Sequence, residues 1–204
     1  MKTIIVLSTA IFSFNQLHAS NLVSVDNDEG QVIYQQACSS CHDADGVNNT
    51  PAPRVAGQRQ LYVQKQLDDY RLGKRPDISM GAMPEVAKSL TKEQIKAVAQ
   101  YISTLESCDT PVTSDPGNGN IGAGKELVEN ESCMGCHQYG MGERSPVLNG
   151  QKTQYLLDQL MAFRENKRID YRPMNSMVRN LTDKNFADIA AYLNSLKSCN
   201  TEKS

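Results

Sequence analysis

Two copies of one short motif, Cys-x-x-Cys-His, constrain this 204-residue chain more than any other feature. The first copy runs from Cys38 to His42 and the second from Cys133 to His137. This spacing is the attachment signature of a c-type haem, in which both thiols bond to the porphyrin and the imidazole binds iron. The sequence therefore predicts two covalently bound haem c groups. The predicted attachment residues are Cys38, Cys41, Cys133 and Cys136, and the predicted iron ligands are His42 and His137.

The supply of histidine favours this interpretation over its alternatives. A single Cys-x-x-Cys is also found in redox disulfides and in half of a zinc site. This chain has three histidines, and His18 is the one that lies outside the two motifs. Because each of the other two closes a motif, no histidine is left for the remainder of a zinc finger.

The first residues of the chain indicate export. Lys2 is followed by an apolar run from Thr3 to Phe14 and then by the small residue Ala19. A basic start, a short apolar run and a small residue before the cut are typical of a secretory signal peptide. A membrane anchor or a buried helix is the alternative, but the run is shorter than the roughly 20 residues of a spanning helix. We expect residues 1–19 to be cleaved and the mature chain to reach the periplasm.

The chain is also an internal repeat. Pro53-Arg54-Val55-Ala56-Gly57-Gln58 corresponds to Pro146-Val147-Leu148-Asn149-Gly150-Gln151, and further matched pairs continue as far as Cys108 and Cys199. A repeat of this kind predicts two similar structural units. The stretch from Asp109 to Asn120, which holds two Pro and two Gly, predicts a linker. The expected domains are therefore residues 20–108 and 121–204, with the linker at 109–120.

Both copies predict the same order of helices, and neither shows the alternation of a strand. A helix begins near Gly30, and its partner begins near Ala123. Middle helices follow at 60–72 and 153–166, and a Met-bearing loop follows each. Apolar residues at helical spacing mark the last helix. Thr91 and Gln94 fit a capping box, whereas Thr182 lacks a Glu or Gln at the third place. The predicted fold class is all-α.

An iron bound by one histidine needs a sixth ligand or leaves an open site, and methionine is the obvious candidate here. A His/Met pair raises the reduction potential of haem iron. Met83 lies seven residues before Leu90, and Met174 lies seven before Leu181, so the repeat favours these two as ligands. Met80 and Met177 lie in the same two segments and remain alternatives, and core packing is the other ordinary role of methionine.

These residues together make the mature chain resemble the diheme cytochrome c4 family, in which two class I cytochrome c domains are fused. The resemblance rests on the two haem motifs, on residues 53–58, on Gln66-Leu67 in the middle helix, and on Met83 or Met174 ahead of Leu-Thr. It implies tandem domains related by a pseudo-two-fold axis. It further implies that the carbonyls of Pro53 and Pro146 accept a hydrogen bond from the histidine rings.

Three classes of function remain open at this point. The resemblance implies a periplasmic electron carrier of a respiratory chain, taking electrons from a quinol-oxidising cytochrome bc-type complex to a terminal oxidase. The alternative is a diheme electron-accepting subunit of a periplasmic dehydrogenase, such as a sulfide-oxidising flavocytochrome. A diheme peroxidase is the weakest of the three, because it needs an open iron with acid/base groups above it. We expect an electron carrier rather than an enzyme, soluble, with redox proteins as partners and docking on membrane complexes.

The net charge and the remaining cysteines constrain the function less than the motifs do. The net charge is -2, which argues against a nucleic-acid partner held by a basic surface. The basic clusters at 71–75 and 164–168 are interpreted as solvated helix ends rather than docking sites. Cys108 and Cys199 end the two copies, and an exported chain favours oxidised cysteine. A bridge between the domains, two free thiols and intermolecular pairs all remain open, as does the oligomeric state.

Overall fold

The computed structural model describes residues 22–42, 50–106, 117–138 and 142–197, with side chains in the first helix described from Asp28 onward. The predicted signal peptide, most of the predicted linker, Cys108 and Cys199 lie outside these residues. Within the described ranges every regular element is a helix, and no strand occurs. The all-α prediction is confirmed.

Each half of the chain builds the same small bundle. The helices of the first half are α1 (Leu22–Ile33), α2 (Gln60–Arg71), α3 (Met83–Lys88) and α4 (Lys92–Thr104), with a π-helical turn at Tyr34–Cys38. In this half α1 and α2 pack on α4, and α3 packs on α2. The helices of the second half are α5 (Ile121–Asn130), α6 (Met134–His137), α7 (Thr153–Arg164), α8 (Arg172–Val178) and α9 (Asp183–Ser195). Here α5 and α7 pack on α9, and α8 packs on α7.

The last helix of each half carries the apolar stripe that the sequence predicts. In α4 the buried members are Ile95, Val98, Ala99 and Ile102, and in α9 they are Phe186, Ile189, Ala190 and Leu193. Each stripe faces the other helices of its own half, so each half has its own core. The described members of each apolar cluster all come from one half of the chain.

Two details differ from the sequence-based expectations. Helix α1 begins at Leu22, so Gly30 lies inside it rather than at its start. The methionines Met83 and Met174 lie in the short helices α3 and α8 rather than in loops. Gly30 is tolerated inside a helix because α1 crosses α4 there: a Cβ on it would lie 2.3 Å from the carbonyl oxygen of Ala97.

Both α4 and α9 begin with a capping box, although the sequence predicted one for α4 alone. Thr91 and Gln94 form the predicted capping box at the start of α4. Thr182 forms one as well, because its hydroxyl accepts from the N–H of Asn185 and the Asn185 side chain accepts from the N–H of Thr182. Asn therefore takes the place of the Glu or Gln of the usual motif.

The two halves meet through reciprocal hydrogen bonds from repeat-related residues. Gln58 donates from Nε2 to the carbonyl of Val147 (2.6 Å), and its Oε1 accepts from the Val147 N–H (3.0 Å). Gln151, which corresponds to Gln58, does the same to Arg54, with distances of 2.9 and 2.8 Å. Arg54 and Val147 also correspond in the repeat, so the two glutamines make the same contact in opposite directions. Contacts that repeat in this way relate the two halves by a pseudo-two-fold axis.

The arginines at the same interface are a correction to the sequence analysis. Arg75 and Arg168 are 4% and 5% exposed and are therefore not solvated helix ends. Arg75 donates to Gln66 of its own half (2.6 Å) and to Tyr155 across the interface (2.8 Å). Arg168 donates to Gln66 (2.8 Å) across the interface, to Gln159 of its own half (2.7 Å) and to Asp170 (2.8 Å). These polar partners, supplied by both halves, compensate the arginines for lost water.

None of the helices in the described part of the chain combines the length and the apolar character that crossing a bilayer requires.

Candidate haem sites

Each Cys-x-x-Cys-His motif is wound into a single turn that closes on its first cysteine. In the first half the N–H groups of Cys41 and His42 donate to the carbonyl of Cys38, at 3.1 and 2.8 Å. In the second half the corresponding bonds to Cys133 are 3.3 and 3.2 Å. The turn therefore places both cysteines and the histidine of each motif within one loop of backbone, as covalent haem attachment requires.

The two histidine rings are oriented by backbone carbonyls. Nδ1 of His42 lies 2.8 Å from the carbonyl oxygen of Pro53, and Nδ1 of His137 lies 2.9 Å from that of Pro146. A carbonyl can only accept, so Nδ1 carries the proton in each ring and Nε2 keeps its lone pair. The expectation for both prolines is confirmed. Each histidine is fixed in the tautomer that a metal ligand needs.

The environment of His137 keeps its ring neutral. Burial lowers the pKa of His137, the hydrogen bond to Pro146 opposes this effect, and the nearby charge of Arg59 lowers the pKa further. A neutral imidazole is the form that binds a metal.

The cysteines lie in the opposite environment from that of redox-active thiols. Burial raises the pKa of Cys38 to about 11, with a further contribution from Cys41. Burial, followed by the charge of Glu131, also raises the pKa of Cys133. A catalytic Cys-x-x-Cys instead lowers the pKa of its attacking thiol. No disulfide joins any two of the four described cysteines.

The methionine side chains separate into an inward and an outward pair. Met83 packs against the core of the first half, and Met174 packs against the cluster around Phe163 in the second. Met80 and Met177 are 45% and 47% exposed. This difference favours Met83 and Met174 as ligands, although the iron–sulfur bonds themselves remain a prediction.

A carboxylate that the sequence analysis missed fixes the segment before Met83. The Asp77 side chain accepts from the N–H groups of Ser79 (3.1 Å), Met80 (3.2 Å) and Met83 (3.0 Å). Burial alone would raise the pKa of Asp77, but these backbone hydrogen bonds outweigh burial and lower it. Asp77 therefore remains a carboxylate and holds the turn that leads into α3. The available signal is that an Asp side chain readily accepts from the backbone N–H two residues on, as Asp77 does from Ser79.

The interface arginines suit an anionic cofactor. Arg75 and Arg168 carry two buried positive charges, and Asp170 pairs with Arg168 (2.8 Å) and with Lys65 (3.9 Å). Nε of Arg75 is buried without a hydrogen-bond partner among the described residues. An unpartnered buried donor with an excess of positive charge is costly unless an anion lies nearby. The carboxylates of a haem would meet this requirement, so the residues present fit the group that the motifs predict.

Both halves of the chain are similar to proteins of one known family. The family model for cytochrome c matches residues 27–106 and again residues 121–197. The thiosulfate dehydrogenase electron acceptor of Stutzerimonas stutzeri is 34% identical, over 80% of this chain and 84% of that protein. Cytochrome c4 of Pseudomonas aeruginosa is 31% identical, over 78% of this chain and 83% of that protein.

Solved structures show the same similarity. Cytochrome c4 of Acidithiobacillus ferrooxidans has a TM-score of 0.65 and 32% identity, covering 78% of this chain and 98% of that one. Thiosulfate dehydrogenase from Marichromatium purpuratum has a TM-score of 0.72 and 28% identity, covering 83% of this chain and 40% of that one. Both the tandem arrangement and the all-α fold agree with these structures.

Proposed function

Because this chain belongs to the cytochrome c family, with one family domain in each half, we propose that it is an exported diheme electron carrier of the periplasm. The observation that carries the proposal is the repeated geometry of the two motifs. In each half a single turn holds two thiols and an imidazole, and a proline carbonyl fixes the imidazole tautomer. Haem c, when bound, supplies a one-electron couple between iron(III) and iron(II).

Each half of the chain contributes a full set of binding residues to this function. Cys38 and Cys41 in the first half, and Cys133 and Cys136 in the second, bind the cofactor covalently. His42 and His137 supply Nε2 to iron, while Pro53 and Pro146 hold the opposite ring nitrogen. Met83 and Met174 are the proposed sixth ligands. A thioether ligand favours the reduced state, so it keeps the potential in the range of a carrier.

The boundaries and the export of the chain are part of the same proposal. We assign residues 1–19 to a cleaved signal peptide, 20–108 and 121–204 to the two haem domains, and 109–120 to the linker. The first turn of α5 begins after Asn120, whose side chain accepts from the N–H of Ala123. This cap supports a domain boundary at the end of the predicted linker.

For the partners, we propose that the chain carries electrons from a quinol-oxidising cytochrome complex to a terminal oxidase. A second candidate has specific support: relatives from two organisms are named as electron acceptors of thiosulfate dehydrogenase, at 34% and 28% identity. In that case the chain accepts electrons from a periplasmic dehydrogenase and passes them onward. Both candidates use the same two redox centres and differ only in the donor.

The first experiment counts the cofactors. The full chain, expressed with its leader in a host competent for cytochrome c maturation, should give two haems per chain in a pyridine haemochrome assay. Cys38→Ser should impair attachment in the first half alone, and Cys133→Ser in the second alone. Gly135→Ala, which changes a position between the motif cysteines without a close neighbour, is the control and should retain both. A wild-type chain without covalent haem would contradict the proposal.

The second experiment separates the two donors. The oxidised holoprotein is mixed either with a purified quinol-oxidising cytochrome complex and quinol, or with a thiosulfate dehydrogenase and thiosulfate. Fast reduction by the first and slow reduction by the second supports the respiratory assignment. The reverse result supports the dehydrogenase assignment. If quinol alone and thiosulfate alone reduce the protein as fast as the complete donor systems do, both assignments are wrong.

A further inference from the structure

One side chain of the first half reaches into the haem motif of the second half. Arg59, the residue immediately before α2, donates from one guanidinium nitrogen to the carbonyls of Ser145 (2.6 Å), Gly142 (2.8 Å) and Cys136 (3.3 Å). The other terminal nitrogen donates to the carbonyl of Gln138. Four carbonyls of the second half therefore surround one cation from the first half.

These contacts bracket the proposed ligand His137. Cys136 and Gln138 are its neighbours on either side, so the guanidinium lies against the peptide groups that hold the ring in place. Arg59 is half-buried, which reduces the screening of its charge by water. A guanidinium stays charged at every pH that the protein tolerates. The second motif thus has a fixed positive charge beside it.

The repeat-related residue reaches toward the first motif from the opposite half. Lys152 occupies the position that corresponds to Arg59, and its ammonium donates to the carbonyl of Thr50 at 2.9 Å. The Thr50 hydroxyl in turn donates to the carbonyl of Cys41. The two cations therefore cross the interface in opposite directions, each toward the haem motif of the other half.

We propose that Arg59 is a tuning residue that acts across the interface and raises the reduction potential of the second haem. The inference rests on the proposed function, because it requires haem at Cys133 and Cys136. A fixed positive charge disfavours the more positive iron(III) state and so favours the reduced state.

The test measures the potential of each haem in the full-length holoprotein by spectroelectrochemical titration. Arg59→Gln removes the charge and keeps a hydrogen-bond donor. We expect the ratio of reduced to oxidised second haem, at a fixed applied potential, to fall about tenfold, which is about 59 mV for a one-electron couple. The first haem should not change. Repeating the titration in a Met83→His background moves the first haem to lower potential and assigns the two waves.

Three matched variants separate charge from contact. Arg59→Lys keeps the charge and should retain most of the wild-type potential. Lys152→Gln removes a cation from the related position of the interface and should leave the second haem unchanged. Arg144→Gln removes an exposed cation from the segment that Arg59 contacts and should also leave it unchanged. If Arg59→Lys lowers the second potential as much as Arg59→Gln does, charge is not the cause and the inference is overturned.

A further variant covers the case in which Arg59→Gln fails to fold. In Arg59→His the side chain is charged at low pH and neutral at high pH, with a midpoint near pH 6.5. The second potential of this variant should fall, relative to the wild type, as the pH rises through that midpoint. If the second reduction potentials of the variant and the wild type change with pH in parallel, the inference is overturned.

A haem count on each variant keeps the two proposals distinguishable. Two attached haems with an unchanged second potential in Arg59→Gln reject the tuning role and leave the carrier function intact. Absence of haem from Cys133 and Cys136 in the wild type rejects the proposed function itself.

Discussion

At the scale of single residues, the repeat places the same side chain in two different roles. Asp77 and Asp170 follow Arg75 and Arg168 at the same distance in the sequence. Asp77 accepts backbone N–H groups ahead of Met83, whereas Asp170 pairs with Arg168 in a contact whose side chains are 1% and 6% exposed. The first carboxylate orders a ligand segment, and the second compensates a buried charge at the interface.

Replacing Asp170 by Asn should destabilise the protein by about 3 kcal/mol, because it leaves the guanidinium of Arg168 buried without its counter-charge. The measurement is the free energy of unfolding from urea denaturation. Asp68→Asn is the matched control: Asp68 pairs with Arg71 at 2.8 Å, but its side chain is 42% exposed. A surface pair of this kind contributes less than about 1 kcal/mol. Equal effects of the two substitutions would contradict the assigned role.

The same pair predicts a dependence on pH. Burial would raise the pKa of Asp170, but the hydrogen bond and charge of Arg168, with Arg75 and Lys65, lower it. A lowered carboxyl pKa stabilises the fold above the ordinary value of about 3.9, and this contribution disappears as the pH falls through the folded-state value. Unfolding measured between pH 6 and pH 3, at about one-unit steps, should show a steeper loss for the wild type than for Asp170→Asn. Parallel curves would mean that Asp170 is not the group responsible.

Met83 is the proposed sixth ligand of the iron in the first half. Met83→His should keep the first haem attached and lower its potential by about 0.1–0.3 V, within the roughly 0.8 V over which axial ligands set haem potentials. Spectroelectrochemistry measures the shift, and the far-red band of methionine-bound iron(III) should weaken. Met80→Leu is the control, because Met80 is exposed and should be silent. An unchanged potential in Met83→His would remove Met83 as a ligand.

At the scale of elements, glycine determines how closely the first and last helices of each half approach. A Cβ at Gly124 of α5 would lie 1.9 Å from the carbonyl oxygen of Asp188 in α9, much as Gly30 meets Ala97. Backbone cannot move aside as a flexible side chain can. The close crossing of α5 and α9 therefore requires glycine, which has no side chain, at position 124.

Gly124→Ala should cost about 3 kcal/mol, at the upper end of ordinary overpacking. The loss should be confined to the second half, which hydrogen exchange of amides in α5 and α9, compared with α1 and α4, can resolve. Gly135→Ala, also helical but without a neighbour within 4 Å, should be neutral or slightly stabilising. Equal loss of protection in both halves would show that the bundles are not independent in this respect.

At the scale of the whole molecule, the reciprocal bonds of Gln58 and Gln151 join the halves into one unit. Each amide satisfies both backbone groups of one residue in the opposite half. We therefore expect electrons to equilibrate between the haems within one molecule. Stopped-flow oxidation of the fully reduced protein should show a redistribution phase whose rate does not depend on protein concentration.

The double variant Gln58→Leu, Gln151→Leu tests this coupling. It leaves buried backbone groups without partners, at a cost of about 1–3 kcal/mol for each unsatisfied group. The redistribution phase should slow or disappear while both haems remain attached. Gln154→Leu, an exposed position on α7, is the control and should behave as the wild type. If the second haem of the wild type is reoxidised only through collisions between molecules, the halves are tethered but separate carriers.

Features that depend on local spacing could be predicted from the sequence alone. Covalent attachment needs two thiols and an imidazole within one turn, so five consecutive residues suffice to predict it. Helix type and the buried stripes of α4 and α9 follow from periodicity, and the repeat follows from alignment. The hydrogen bonds of Pro53 and Pro146 were implied by resemblance to a family, since nothing local shows which carbonyl a ring will meet.

Contacts between residues far apart in the chain could be seen in the folded structure but not in the sequence. Arg75 and Arg168 look like solvated helix ends because their partners Gln159 and Gln66 lie 84 and 102 residues away. Arg59 and the carbonyls around His137 are likewise 77–86 residues apart. Whether a charge is solvated or buried depends on which surface covers it. That surface is supplied here by the other half of the molecule, whose position no local pattern encodes.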